Sequence, residues 1–176
     1  MTRTLILTAC IAVLAACSAV QVDDYRKQAP TLKMEDFFQG DLVAYGVVKD
    51  FRGRVIRKFT AEILAYWRDG VGTLEEDFEF DDGELERRVW KLQTNSTNNY
   101  TGTAGDVVGD GEVTVAGNSA FLDYVLRIPY GDGSIDVRID DRMYLITPTV
   151  LLNESTLRKF GIKVGELLLV IQKQNS

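Results

Sequence analysis

From residue 42 onward, apolar and polar side chains alternate with a period of two, the pattern of strands with one face buried. In the longest run, residues 55–67, Val55, Phe59, Ala61, Ile63, Ala65 and Trp67 share one face, and Lys58, Thr60 and Glu62 take the other. Residues 73–80 repeat the pattern, with Leu74, Phe78 and Phe80 set against Thr73, Glu75, Asp77 and Glu79. Turn signals separate such runs at 50–53, 68–70, 81–83 and 130–133, each with Gly and Asp. Strands are therefore predicted at 42–49, 55–67, 73–80, 84–94, 100–107, 121–129, 135–140, 142–146, 150–153 and 167–172. The glycine-rich stretch 105–111 predicts a bend or bulge. Helix is confined to one turn at 34–40, ended by Gly40, and a short segment at 155–161, capped by Ser155 and ended by Gly161.

Nine or ten closely spaced strands, almost no helix and no internal repeat define an all-β chain with an antiparallel meander. Closure into a lipocalin-like β-barrel removes the edges of such a sheet, and residues 34–176 suit one such domain with one or two short helices. A two-sheet sandwich is the alternative. The faces opposite the core carry Lys, Glu and Asp, which excludes the apolar belt of a membrane-spanning barrel.

One position breaks the alternation. Glu76 shares its face with Leu74, Phe78 and Phe80. A two-residue turn at Asp82-Gly83 would set Glu76 opposite Val89. A three-residue loop, 81–83 with Gly83 left-handed, sets Leu74 opposite Trp90, Glu76 opposite Arg88 and Asp77 opposite Arg87. The second register gives both acids a cation, so it predicts an interior Glu76–Arg88 pair.

The first 33 residues do not join this pattern. Arg3 precedes an apolar run, 5–13, too short to span a bilayer permanently, and Leu14-Ala15-Ala16-Cys17 follows. The four residues resemble a bacterial lipobox. The resemblance implies a signal peptide at 1–16, with Cys17 acylated as the first mature residue and several chains holding it to the membrane. Ser18, in place of Asp, resembles an outer-membrane sorting signal, so the expected location is the periplasmic side of the outer membrane. Residues 17–33 then form a lipidated tether, with Val22 and Tyr25 available for packing.

Charge and missing residue types narrow the chemistry. The chain carries 26 acids against 20 bases, a net charge of −6, with no basic stripe, which excludes nucleic acid as a partner. There is no His, and the only cysteines are Cys10 and Cys17. Ser-His-Asp and Cys-His catalysis, histidine general acid–base work and the usual zinc sites are thereby removed. No cofactor or metal is expected, and the chain does not read as an enzyme. The 105–111 loop lacks the Lys and following helix of a phosphate loop, and Asp106, Asp110 and Glu112 miss the spacing of a calcium loop. Asp140 and Asp141 are adjacent, so on a strand their carboxylates point to opposite faces and do not converge. A structural turn is expected there.

Several segments together are familiar. Phe37-Phe38-Gln39-Gly40, Gly72-Thr73-Leu74-Glu75-Glu76, Arg88-Val89-Trp90, Gly102-Thr103-Ala104-Gly105-Asp106-Val107-Val108-Gly109, Asp140-Asp141-Arg142-Met143-Tyr144-Leu145 and Lys159-Phe160-Gly161 resemble, in order and spacing, domain of unknown function 3833. This is a family of Gram-negative lipoproteins, and the likeness runs from about residue 36 to the end. Arg142 departs from the pattern, where Trp is expected. The resemblance implies an envelope protein and brings no activity with it.

Two functions remain. The first is a lipocalin-like binding protein for an apolar ligand such as a fatty acid or lipid, with Trp67, Glu76, Phe78, Arg88, Trp90 and Tyr124 as candidate binding residues. The second is a structural or assembly partner of another envelope protein, with a filled barrel. An interior cavity of several hundred cubic ångströms, open at one end, favours the first; a filled interior with an exposed apolar patch favours the second.

Overall fold

Two-residue alternation runs unbroken through longer stretches than the hydrophobic pattern alone marks, because several inward positions are polar. The computed structural model describes residues 19–174; the predicted signal peptide 1–16, Cys17 and Ser18 lie outside the described residues. Ten strands follow in order: β1 (Gly40–Asp50), β2 (Val55–Arg68), β3 (Val71–Phe80), β4 (Leu85–Ser96), β5 (Asn99–Thr103), β6 (Gly111–Ala116), β7 (Ser119–Tyr130), β8 (Gly133–Thr147), β9 (Val150–Lys159) and β10 (Ile162–Lys173). Each pairs antiparallel with its sequence neighbour, and β1 pairs with β10, from Leu42 opposite Lys173 to Asp50 opposite Gly165. The meander is a closed barrel, as expected, and the sandwich alternative is set aside.

The register across β3 and β4 is the three-residue one. Gly83 lies at φ 86°, its N–H donates to the Phe80 carbonyl at 2.9 Å, and Phe80 N–H donates to the Glu84 carbonyl at 3.0 Å. Leu74 faces Trp90, Glu76 faces Arg88 and Asp77 faces Arg87. On the outer face the Arg87–Asp77 pair forms at 2.8 Å.

Three expectations need correction. The strands expected at 135–140 and 142–146 are one strand, β8, with no turn at Asp140-Asp141. The helix expected at 155–161 is the second half of β9: Ser155 turns inward instead of capping, and Phe160-Gly161 forms the hairpin to β10. β6 was not marked by its sequence, and β5 ends at Thr103, leaving residues 104–110 as a loop laid along β7. There Val107 bridges to Leu126, and Val108 N–H donates to the Val125 carbonyl at 2.8 Å.

The two ends of the barrel differ. One is stoppered by α1 (Met34–Phe37) and its flanks, with Leu32, Met34, Phe37 and Phe38 all buried at 3% exposure or less. Lys173 Nζ fastens this plug by donating to the carbonyls of Asp36, Phe37 and Gln39 at 2.8–3.0 Å. From the plug the N-terminal segment runs back over the outer wall. Tyr25 packs edge-on against Phe121 and tilted against Tyr144. Its carbonyl sits so close to Gly117, at φ 57°, that a Cβ there would come within 1.8 Å of it. Arg142, on the outer face of β8, lies 4.4 Å over the Phe121 ring and pairs with Asp140 at 3.1 Å. Its flat guanidinium occupies the face where the family resemblance led to Trp.

Candidate functional site

The inward faces of the strands enclose a cavity of about 100 Å³. Its walls are mostly apolar, including Ile63, Leu74, Phe78, Trp90, Leu122 and Met143. α1 seals one end, and Phe59 and Phe78 line the cavity toward the opposite rim. Five of the six predicted binding residues line it: Glu76, Phe78, Arg88, Trp90 and Tyr124. Trp67 does not. It stands at the plugged end, lying flat over Gly72 and donating its indole N–H to the Phe38 carbonyl at 2.9 Å. Its place at the end of β2 makes it part of the stopper.

A polar cluster is set into this apolar wall. Register places Arg88 opposite Glu76, yet the two do not form the direct pair expected. Arg88 Nε donates to Asp106 Oδ2 at 2.9 Å, Nη2 lies 2.7 Å from the same oxygen, and Nη2 also donates to Glu86 Oε1 at 3.0 Å. The 104–110 loop, folded inward along β7, brings Asp106 to the guanidinium and so takes the partner that strand pairing alone assigns to Glu76. Arg88 is thereby saturated with anions. Asp106 Oδ1 is buried with no partner.

Glu76 is left with no hydrogen bond or ion pair among the described residues; it is half-buried and lines the cavity. Burial pushes its carboxyl up to about 7; the Arg88 charge opposes this, and Asp106, Asp141 and Glu86 reinforce it. Such a group is costly to hold ionised without a partner. Across the cavity, Asp141 faces inward while Asp140 faces out, so the two adjacent carboxylates diverge as strand geometry requires. Asp141 Oδ1 accepts from Ser155 Oγ at 2.7 Å and from Asn153 Nδ2. Burial pushes it up to about 6 despite these bonds. Tyr124 packs edge-on to Trp90 at 5.2 Å, and burial holds its phenol well above the ordinary range.

Asp106, Asp141 and Asn153 are members of this site that sequence reasoning missed. Asp141 carries the same signal that marked Glu76, a carboxylate in phase with Ile139 and Met143. The wall therefore offers two acids with raised affinity for protons and one cation already neutralised. Among the described residues no group of three metal-binding side chains converges. The arrangement can accept hydrogen bonds from the polar end of a guest whose remainder is apolar.

Known structures share the barrel. The S-type phycobiliprotein lyase CPES from Guillardia theta aligns with TM-score 0.59 and 12% identity, over 82% of this chain and 94% of that one. Rv2717c from M. tuberculosis aligns with TM-score 0.61 and 16% identity, over 84% and 99%. At such identities the likeness establishes the fold alone. No curated protein matches the sequence. The family model for a protein of unknown function, DUF3833, matches residues 11–173, and the chain belongs to that family.

Proposed function

We propose that the protein is a non-enzymatic envelope lipoprotein, anchored to the periplasmic side of the outer membrane through acyl chains on Cys17, that holds an apolar ligand in its barrel. The observation that carries the binding reading is Glu76: a half-buried carboxylate on the wall of a mostly apolar cavity, without a protein partner among the described residues. Polar groups on an apolar wall are seldom left without a partner, so this carboxylate offers a place for a guest's polar end or for water. The barrel likeness to a phycobiliprotein lyase is compatible with a fold that accommodates small molecules.

The geometry constrains the guest. At about 100 Å³ the cavity is well below the roughly 300–1,000 Å³ typical of drug-sized ligands, so it takes only a short length of a slim apolar chain, the rest lying outside it, and no fused ring system. With Glu76 and Asp141 on the wall and Arg88 neutralised, this polar cluster favours a hydroxyl or amine over the carboxylate of a fatty acid.

Titration of ligand-stripped protein with dodecanol, dodecylamine and dodecanoate, followed by tryptophan emission, tests this. Saturable quenching by the alcohol and amine, weaker with the carboxylate at pH 8 and lost in Trp90→Phe, is expected. Silence toward all three would favour the second reading, a filled barrel serving another envelope protein. Fractionation of cells carrying Cys17→Ser tests the anchor separately: the variant should leave the membrane fraction.

A further inference from the structure

The most exposed apolar side chains gather at one end of the barrel. Phe51, Ile56, Leu85, Tyr130, Phe160 and Ile162 are each 60–91% exposed. They come from four different hairpins, β1–β2, β3–β4, β7–β8 and β9–β10, all at the end opposite the α1 plug. At the plugged end Ile146 and Leu64 are less exposed, at 54% and 47%, and stand beside polar tips such as Asp69-Gly70, Thr97-Asn98 and Pro148-Thr149. An apolar crown on one rim alone is more than the scatter of single hydrophobes a soluble surface normally shows.

Phe160 sharpens the point. It holds φ 51°, a left-handed conformation disfavoured for a bulky residue, with its ring 91% exposed. The barrel gains nothing from an aromatic side chain there; Asn or Gly would make the same turn with less strain. Cations flank the aromatic tips: Lys159 Nζ lies 5.0 Å from the Phe160 ring and Arg52 lies 5.1 Å from that of Phe51. Aromatic rings with adjacent long cations are the composition that settles at the boundary between lipid headgroups and acyl chains.

The N-terminal segment leads to the same rim. It leaves the plugged end at Tyr25 and Gly117 and climbs the outer wall, where Ala19, Val20 and Gln21 share one surface groove with Lys159, Phe160 and Gly161. Cys17 precedes Ala19 by two residues, a reach of at most about 7 Å.

We infer that this rim is a bilayer-docking surface: the crown of hairpin tips enters the headgroup region, so that the unplugged end of the barrel faces the membrane and the α1 plug faces away. The inference rests on the anchor reading for the placement of Cys17, and on the crown itself for the contact. Because Asp50, Asp81, Asp82, Glu84, Asp132 and Asp136 stand among the rim's cations, attraction to the bilayer comes from apolar insertion rather than charge. Binding is therefore expected on zwitterionic lipid and to persist in salt.

The chain from residue 17, which contains the whole described fold, carries no cysteine once Cys17 is replaced by Ser. In that background an environment-sensitive fluorophore is attached at Phe160→Cys or, as control, at Ile146→Cys, and phosphatidylcholine vesicles are added at 0.5 M salt. A blue shift at position 160 with none at 146 is expected. Phe160→Ser and Ile162→Ser, read by vesicle co-sedimentation with unchanged thermal unfolding, should each weaken partition roughly tenfold. No shift at 160, or a shift at 146 instead, overturns the inference. A shift at 160 without vesicles, accompanied by self-association or by a co-eluting protein, overturns it in favour of a protein interface. The mass of Cys17-containing protein extracted from membranes reports acylation independently, so failure of the anchor and failure of the rim are distinguished.

Discussion

Replacing Glu76 by Gln should stabilise the protein, and only at high pH. In the folded barrel the Glu76 carboxyl keeps its proton up to about 7, whereas in the unfolded chain it releases it near 4.5. Between those values the folded state binds more protons, so stability is fully present below pH 4.5 and is lost as pH rises through 7. The separation corresponds to on the order of 3 kcal/mol at pH 8, at about 1.4 kcal/mol per pH unit. Asp141, pushed up to about 6, adds a loss of the same sign over a lower window. Glutamine has nearly the shape of the protonated acid and cannot ionise, so it removes the Glu76 component alone. For a chain of this size, roughly 2–4 °C of Tm per kcal/mol gives an expected rise of roughly 6–12 °C at pH 8 and little change at pH 4.5. Thermal unfolding by near-ultraviolet circular dichroism at pH 4.5, 6 and 8, on ligand-stripped protein, measures it; a bound guest would raise Tm on its own account. If Glu76→Gln lowers Tm at pH 8, the carboxylate is ionised and well paired, and both its orphan status and the binding reading fail with it.

Two further outcomes follow from the site and its surroundings. Arg88→Met strands Asp106 and Glu86 and should cost about 3–5 kcal/mol, with residues 104–110 becoming the first site of proteolysis; adding Asp106→Asn should recover part of the loss, and a strictly additive double variant would refute the coupling. Gly117→Ala puts a methyl group on the Tyr25 carbonyl, so it should release the N-terminal segment to trypsin at Arg26 and Lys27 while the barrel still melts cooperatively; unchanged protection would show that the segment is not held there.

What the sequence made legible was whatever obeyed the alternation, including its one clear violation. Glu76 could be placed inside because Leu74 and Phe78 fix the phase on either side, and the Asp81–Gly83 loop then set the register to the residue. The same logic was lost in β8 and β9. Asp141, Asn153 and Ser155 point inward, so the apolar rhythm stops there, the pattern breaks the strands at those positions, and Ser155 reads as a helix cap. A polar interior erases the signal that would reveal it. The partner of Arg88 was hidden for a different reason, since Asp106 arrives on a loop with no period at all and its approach is decided by the Val107–Leu126 bridge. Trp67 shares the phase of Ala65 and Ile63, but phase fixes which face a residue takes and says nothing of how far along the barrel it lies.

The pairing of β1 with β10 has a consequence for the order of events in folding. Ala44 finds Ile171 and Gly46 finds Leu169 across nearly the whole length of the chain, so closure has to meet the loop entropy of more than a hundred intervening residues. Until the last strand is available, β1 and β9 present unpaired edges, and the curled sheet is a template for other chains. The native state is therefore withheld from any incomplete polypeptide. A chain released only when whole can close at once, whereas one that loses residues after Gly161 remains an open ribbon.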